Sequence, residues 1–122
     1  MTPTGFTPIR TTLQLEHAAL FALGIAAYSA VGLGWWVFAV LLLAPDLAML
    51  GYLRGPRLGA LCYNVAHTYL SPLALAGAGW WADARTVQAV ALIWVIHIAM
   101  DRTVGYGLKY ASGFKDTHLQ RV

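Results

Sequence analysis

The chain has 122 residues, of which 59% are hydrophobic and 11% are charged, and its mean hydropathy is +0.61. Soluble domains carry about 25% charged residues, so this composition excludes an ordinary soluble domain and predicts an integral membrane protein. The net charge of +3 is small, and no segment resembles a nucleic-acid-reading motif. We expect a single all-α domain, built as a membrane-spanning four-helix bundle.

Four apolar stretches are each close to the ~20 residues needed to cross a bilayer. They predict transmembrane helices at Leu13–Val31, Trp35–Leu53, Leu58–Gly79 and Val87–Tyr106, followed by a C-terminal cytoplasmic tail at 107–122. A cleaved signal peptide is the competing interpretation of the first helix, because Ala27-Tyr28-Ser29 is similar to a small-residue cleavage site. Glu16 and His17 at the start of this apolar run favour a retained helix instead.

Basic residues are distributed unequally between the two sides of this predicted topology. One side has Arg10, Arg54, Arg57, Arg102, Lys109, Lys115 and Arg121, and the other has only Arg85. Because cytoplasmic loops carry the excess of Lys and Arg, we expect both termini in the cytoplasm and a multi-pass protein of the bacterial inner membrane. Trp35-Trp36 and Trp80-Trp81 would then form an aromatic belt at the outer interface.

Ionisable side chains occur at similar depths in all four predicted helices. These residues are Glu16, Asp46, His67, His97 and Asp101. A rise of ~1.5 Å per residue places them within roughly 13 Å of the cytoplasmic end. Charged groups at membrane depth are costly and commonly functional, so we expect one pocket open to the cytoplasm. Pro45 removes a helix hydrogen bond just before Asp46 and predicts a kink there.

We predict that Asp46, His67, His97 and Asp101 bind a divalent metal ion. Two imidazoles and two carboxylates suit zinc, manganese or iron, and suit copper(I) poorly. Hydrolysis would require an open coordination position, at which the ion lowers the pKa of a bound water toward ~7, and a pocket at head-group depth would suit a lipid-like substrate. Glu16 is then the candidate general base, and Asn64 the candidate for orienting the reacting groups by hydrogen bonds. A metal-dependent hydrolase is one class of function that such a site would permit.

Other classes of function stay open. A small proton-coupled transporter would use Glu16 as its proton and substrate site. A haem-binding bundle would use His67 and His97 as axial ligands, and a structural or assembly role is the simplest alternative. The partners we expect are the lipid bilayer, a lipid-like or small-molecule ligand, and a second copy of the chain in a homo-oligomer.

The C-terminal tail has two alternatives. A polar, basic segment after a transmembrane helix ordinarily lies free and is attracted to anionic lipid. Glycines at 105, 107 and 113 permit tight turns, and nearby aromatic residues offer anchors, so the tail could instead fold over the pocket as a cap. In that arrangement Asp116 and His118 approach the site.

Several motifs between Leu15 and Leu119 resemble one family of small bacterial membrane proteins. The motifs are Ala44-Pro45-Asp46-Leu47, Gly55-Pro56-Arg57, Tyr63-Asn64 with Ala66-His67-Thr68-Tyr69, His97 with Asp101-Arg102, and Gly105-Tyr106-Gly107-Leu108-Lys109-Tyr110. On these motifs the chain is similar to the family called domain of unknown function 4260, which carries no established activity.

A more distant resemblance concerns the order of the polar residues. Pro-Asp, then a histidine, then His-x-x-x-Asp is similar to the YdjM-type inner-membrane proteins, which are metal-dependent hydrolase-like. That resemblance implies that Asp46, His67, His97 and Asp101 are metal ligands. Where the YdjM pattern has a basic residue and a further histidine, this chain has Asn64 and Thr68, so only the metal-binding part of the resemblance is carried over.

Overall fold

The computed structural model describes residues 8–31, 33–110 and 117–121. These residues form five α-helices: α1 (Pro8–Val31), α2 (Trp35–Leu42), α3 (Pro56–His67), α4 (Leu70–Trp81) and α5 (Arg85–Thr103). A 3₁₀ helix, Ala44–Arg54, joins α2 to α3, and a short 3₁₀ turn, His118–Arg121, lies in the tail. The described part of the chain is therefore all-helical, as predicted, apart from an isolated bridge between Lys109 and Thr117.

Helix α5 lies at the centre of the fold. Helices α1, α2 and α4 pack against it, and α3 packs against the 3₁₀ helix. The core cluster consists of Tyr28, Ala89, Ile93 and Ile96. A Cβ atom at Gly24 would lie 2.6 Å from Cγ1 of Ile96, so glycine permits the close approach of α1 to α5. The Tyr28 hydroxyl donates to the Gly34 carbonyl at 2.6 Å and thereby ties α1 to the start of α2.

The helix predicted at Leu58–Gly79 is divided into two. Helix α3 ends at His67, and Thr68 is extended, with φ −94° and ψ 142°. Pro72 explains the break, because proline has no N–H to donate to the carbonyl four residues earlier and its ring displaces that carbonyl. Side chains satisfy the carbonyls at the end of α3: Ser71 Oγ donates to Val65 at 2.5 Å, Trp94 Nε1 to Ala66 at 2.5 Å, and Arg102 Nη2 to His67 at 2.8 Å.

The helix predicted at Trp35–Leu53 changes type near Pro45. The α-helical part ends at Leu42, and the rest is a 3₁₀ helix, which is narrower and rises ~2.0 Å per residue. Two glycines let it pack tightly on α3: a Cβ atom at Gly51 would lie 3.0 Å from the Cys62 side chain, and one at Gly59 would overlap the ring of Tyr52. The proline therefore produces a longer irregular segment than the single kink that was predicted.

One helical stretch of the described chain, Trp35–Arg54, is long and apolar enough to cross a membrane. No residue in its most apolar 18-residue segment is buried inside the protein. The other predicted spans are interrupted by polar groups or breaks. The first predicted span has Glu16 and His17 near its start, the segment after α3 breaks at Thr68, and α5 ends with the polar run around Asp101. The boundaries also differ, since α1 begins earlier than predicted and α5 ends at Thr103.

Candidate metal centre

Four side chains meet beside the break between α3 and α4. Asp46 comes from the 3₁₀ helix, His67 from the end of α3, and His97 and Asp101 from α5. One nitrogen or oxygen atom from each residue lies within 4.8 Å of the others. Both histidines are buried and both aspartates are partly buried. The structure thus brings together the four residues that the sequence predicts as metal ligands, and we call them the cluster.

The distances within the cluster match the spacing of ligands around one cation. The Nε2 atoms of His67 and His97 are 3.1 Å apart. Asp46 Oδ1 lies 3.3 Å and 3.2 Å from these two nitrogens, and Asp101 Oδ2 lies 3.2 Å and 3.3 Å from them. Tetrahedral bonds of ~2.0–2.1 Å separate neighbouring ligand atoms by ~3.3–3.4 Å. Neighbouring ligands of an octahedral ion are about 3 Å apart, so each of these five distances is compatible with two neighbouring ligands of one ion.

The backbone and an aromatic ring orient His67. Its Nδ1 lies 2.8 Å from the Tyr63 carbonyl, and because a carbonyl only accepts, Nδ1 carries the proton. The Nε2 lone pair of the neutral ring then points at the other cluster residues. The Tyr63 ring stacks on the His67 ring with centroids 3.8 Å apart and planes 6° apart. Partners of this kind fix the tautomer of metal-binding histidines.

His97 differs from His67 in its surroundings. Its side chain is fully buried, and its ring lies near the Leu42 backbone, although Nδ1 makes no well-formed hydrogen bond within the described residues. Buried polar atoms without a partner are uncommon. A cation bound at Nε2 would hold the ring proton on Nδ1, so the ring is compatible with a role as ligand.

The cluster needs positive charge to balance two carboxylates. Burying like charges close together is unfavourable unless cations or protons compensate them. The guanidinium of Arg102 donates to the His67 carbonyl and lies 5.1 Å from the centre of the Tyr69 ring, where it stabilises the helix break. Within the cluster itself, a bound cation or protons shared with the histidines would provide this compensation.

A cavity of about 220 Å³ opens next to the cluster. Its lining residues are Asp46, Met49, Tyr63, Asp101, Tyr106 and Lys109. A separate apolar pocket of about 280 Å³ is lined by Pro45, Ala66 and Trp94 among others. Pro45 and Ala66 directly precede Asp46 and His67 in the chain, so the cluster residues adjoin a polar cavity and an apolar pocket.

Asn64 holds the C-terminal tail against α3. Its Nδ2 donates to the Lys109 carbonyl at 2.7 Å, and its Oδ1 accepts from the Lys109 N–H at 2.6 Å. The side-chain amide therefore pairs with the backbone like a neighbouring strand. Asn64 thus positions the tail, a role that the sequence did not predict. Its predicted role in catalysis stays a prediction.

The described tail residues fold back on themselves. The Leu108 N–H donates to His118 Nδ1 at 2.9 Å, and the His118 N–H donates to the Leu108 carbonyl at 2.9 Å. Lys109, Thr117 and Leu119 are all buried. His118 is thus used within the tail rather than in the cluster, and burial, together with the nearby charges, lowers its pKa. Asp116, the other residue predicted for the cap, lies outside the described residues.

Glu16 is not brought to the cluster. Its side chain is exposed on α1, in a shallow groove that it shares with Pro8 and Thr12. The general-base role predicted for it stays a prediction about a residue outside the cluster. Lys109 is the residue that sequence reasoning missed, because no local pattern connects it to Asn64, which lies 45 positions away.

This geometry defines the chain as a helical protein with a buried cluster of two histidines and two aspartates. The family model described as domain of unknown function DUF4260 matches residues 10–122, so the chain belongs to that family. No curated protein and no solved structure matches the chain. The resemblance to YdjM-type proteins stays a prediction.

Proposed function

We propose that this chain is a multi-pass membrane protein that binds one divalent cation in the cluster and hydrolyses a lipid-like substrate there. The observation that carries the proposal is the set of five distances of 3.1–3.3 Å among the four cluster residues. Two imidazoles and two carboxylates suit zinc, manganese or iron. The bound ion would act as a Lewis acid and lower the pKa of a water molecule.

Exposed apolar residues support placing the chain in a membrane. Trp36, Trp80 and Trp81 are 81%, 81% and 92% exposed, whereas soluble proteins rarely expose large contiguous apolar patches. These tryptophans lie where α2 begins and α4 ends, as expected for residues at one membrane interface. The asymmetry of Lys and Arg then puts both termini in the cytoplasm.

The proposed topology can be tested by cysteine labelling in a Cys62→Ala background. Single cysteines at Leu33 and Ala84 should react with a membrane-impermeant reagent added from outside, and a cysteine at Arg54 should react only after the membrane is permeabilised. If all three positions react from the same side, the proposed topology is wrong.

The choice of a lipid-like substrate follows from the two neighbouring spaces. Asp46 lines the polar cavity, while the preceding Pro45 lines the apolar pocket. An amphiphile could place its polar group near the cluster and its chain against apolar side chains. Binding sites combine a few placed polar groups with a mostly apolar lining in the same way.

Elemental analysis of protein purified without chelator tests the metal site. We expect roughly one divalent ion per chain in the unmodified protein and loss of that ion in the double variant His67→Ala, His97→Ala. His17→Gln is the matched control, because His17 is a buried histidine on α1 outside the cluster, stacked on Tyr69. Metal content that is low and equal in all three proteins would refute the proposed site.

Proton-coupled transport is the second candidate function. The Nε2 atoms of the two cluster histidines are 3.1 Å apart, which is also a hydrogen-bonding distance when one of them is protonated. Movement of a substrate into vesicles that is driven by a proton gradient in the metal-free protein, and is lost in the His67→Ala, His97→Ala variant, would favour transport over hydrolysis. The same distance leaves no room for a porphyrin between the nitrogens, so haem is not proposed, and visible absorption of the purified protein checks this.

A further inference from the structure

Lys109 is the cationic residue of the polar cavity. Its side chain is only 5% exposed, and it lines this cavity together with Asp46 and Asp101. Its Nζ lies 4.3 Å from the centre of the Tyr63 ring, whose centroid lies 3.8 Å from that of the His67 ring. The ammonium therefore lies over a tyrosine of the cavity wall, and that tyrosine ring stacks on the cluster histidine.

The position of Lys109 is fixed by its backbone. Both its N–H and its carbonyl are held by the Asn64 amide, so the residue lies on an anchored part of the tail. Burial lowers the pKa of the Lys109 ammonium, and the Asp101 and Asp46 carboxylates act in the opposite direction. A polar group held in place at the wall of a cavity is the arrangement that recognises a ligand.

From these contacts we infer that Lys109 binds the anionic group of the substrate, so that a phosphate-type oxyanion lies between the lysine ammonium and the cation of the cluster. This inference rests on the proposed metal site. The cavity volume of about 220 Å³ is below the ~300–1,000 Å³ typical of pockets for drug-sized ligands. The cavity therefore suits a head group rather than a complete lipid.

Charge in the cavity makes binding of the anion depend on the metal. Without a cation, Asp46 and Asp101 both present negative charge to the cavity and repel an oxyanion. A divalent ion neutralises the two carboxylates, and Lys109 then leaves the cavity with net positive charge. The metal should consequently bind first, and phosphate should bind only to the metal-loaded protein.

Calorimetric titration of zinc-loaded, detergent-purified protein with inorganic phosphate tests this inference. Lys109→Met should weaken phosphate binding by about ten-fold or more, since it removes a charged hydrogen-bonding partner, and Lys109→Arg should restore part of it. Zinc binding should be unchanged in both variants. Arg85→Met is the control, because Arg85 is an exposed cation at the start of α5 and does not line the cavity, and this variant should bind phosphate normally.

A second measurement separates a free phosphate from a lipid head group. The protein is reconstituted in vesicles of phosphatidylcholine containing either phosphatidic acid or phosphatidylglycerol, which carries the charge without a terminal phosphate. If inorganic phosphate binds more weakly only in the vesicles that contain phosphatidic acid, the lipid head group competes for the site and is the natural ligand. If it binds equally in both kinds of vesicle, the ligand is free phosphate. Both results support Lys109 as the anion-binding residue.

The two proposals fail in different ways. If the unmodified protein binds no metal, both the proposed function and the role of Lys109 are overturned. If zinc binds stoichiometrically but phosphate affinity is the same in Lys109→Met as in the unmodified protein, only the role of Lys109 is overturned. Phosphate binding to the metal-free protein with equal affinity would likewise overturn the bridging arrangement.

Discussion

Replacing Asn64 by leucine should detach the tail from α3 without changing the cluster. Leucine has a similar size, but it can neither donate to the Lys109 carbonyl nor accept from the Lys109 N–H, which are now held at 2.7 Å and 2.6 Å. Each hydrogen bond contributes about 0.5–1.5 kcal/mol net, and each buried backbone group left unpaired costs about 1–3 kcal/mol. Because water can reach part of this site once the tail loosens, we expect a total loss of about 2–4 kcal/mol.

Thermal unfolding in detergent, followed by near-ultraviolet circular dichroism, measures this loss, and limited proteolysis reports detachment of the tail. Gln14→Leu is the control, because Gln14 makes one side-chain hydrogen bond, donating to the Thr103 carbonyl at 3.2 Å. It should cost about 1 kcal/mol and leave the tail protected from protease. An Asn64→Leu variant that is no less stable than Gln14→Leu, with the tail equally protected, would refute the clamping role of the amide.

Two further predictions concern the tail. Leu119→Ala should lower the free energy of unfolding by about 2–5 kcal/mol, because Leu119 is fully buried; a loss below about 1 kcal/mol in denaturant titration would contradict its place in the core. His118 has a lowered pKa in the folded protein, so its contribution to stability is present above ~6.5 and is lost as the pH falls below that value. His118→Asn, which keeps an acceptor but cannot titrate, should flatten this acid-side loss, and an unchanged pH profile of the melting temperature would exclude His118 as its source.

The sequence predicts the cluster better than it predicts the helices. Polar residues are so rare in this chain that their depth along the helices is informative, and His97 and Asp101 are one helical turn apart on the same face. Asp46 and His67 follow from the same reasoning about depth. The prediction that these residues meet uses their approximate depth along the helices. It does not depend on the exact residues at which the helices begin and end.

The tail contacts could not be predicted in this way. Asn64 and Lys109 are 45 residues apart, and their contact is made through the backbone of Lys109, which carries no residue-specific signal. Glycines in the tail allow a turn but do not determine where it docks. Sequence reasoning therefore left free and folded tails as alternatives, and packing of the buried Leu119 accounts for the folded arrangement of the described residues.

Pro72 is the sequence signal for the division of the predicted third helix, and the resulting break lies next to the cluster. Both irregular segments adjoin the cluster: Asp46 follows Pro45 in the 3₁₀ helix, and His67 is the last residue before the break at Thr68. Buried backbone carbonyls that a break releases need other hydrogen-bond partners, and here Ser71, Trp94 and Arg102 donate to them. Arg102 directly follows Asp101 in α5. The same helix therefore supplies a cluster residue and the side chain that binds the carbonyl of His67 at the end of α3. The break and the cluster are thus parts of one arrangement, in which the position of His67 depends on the contact between α3 and α5.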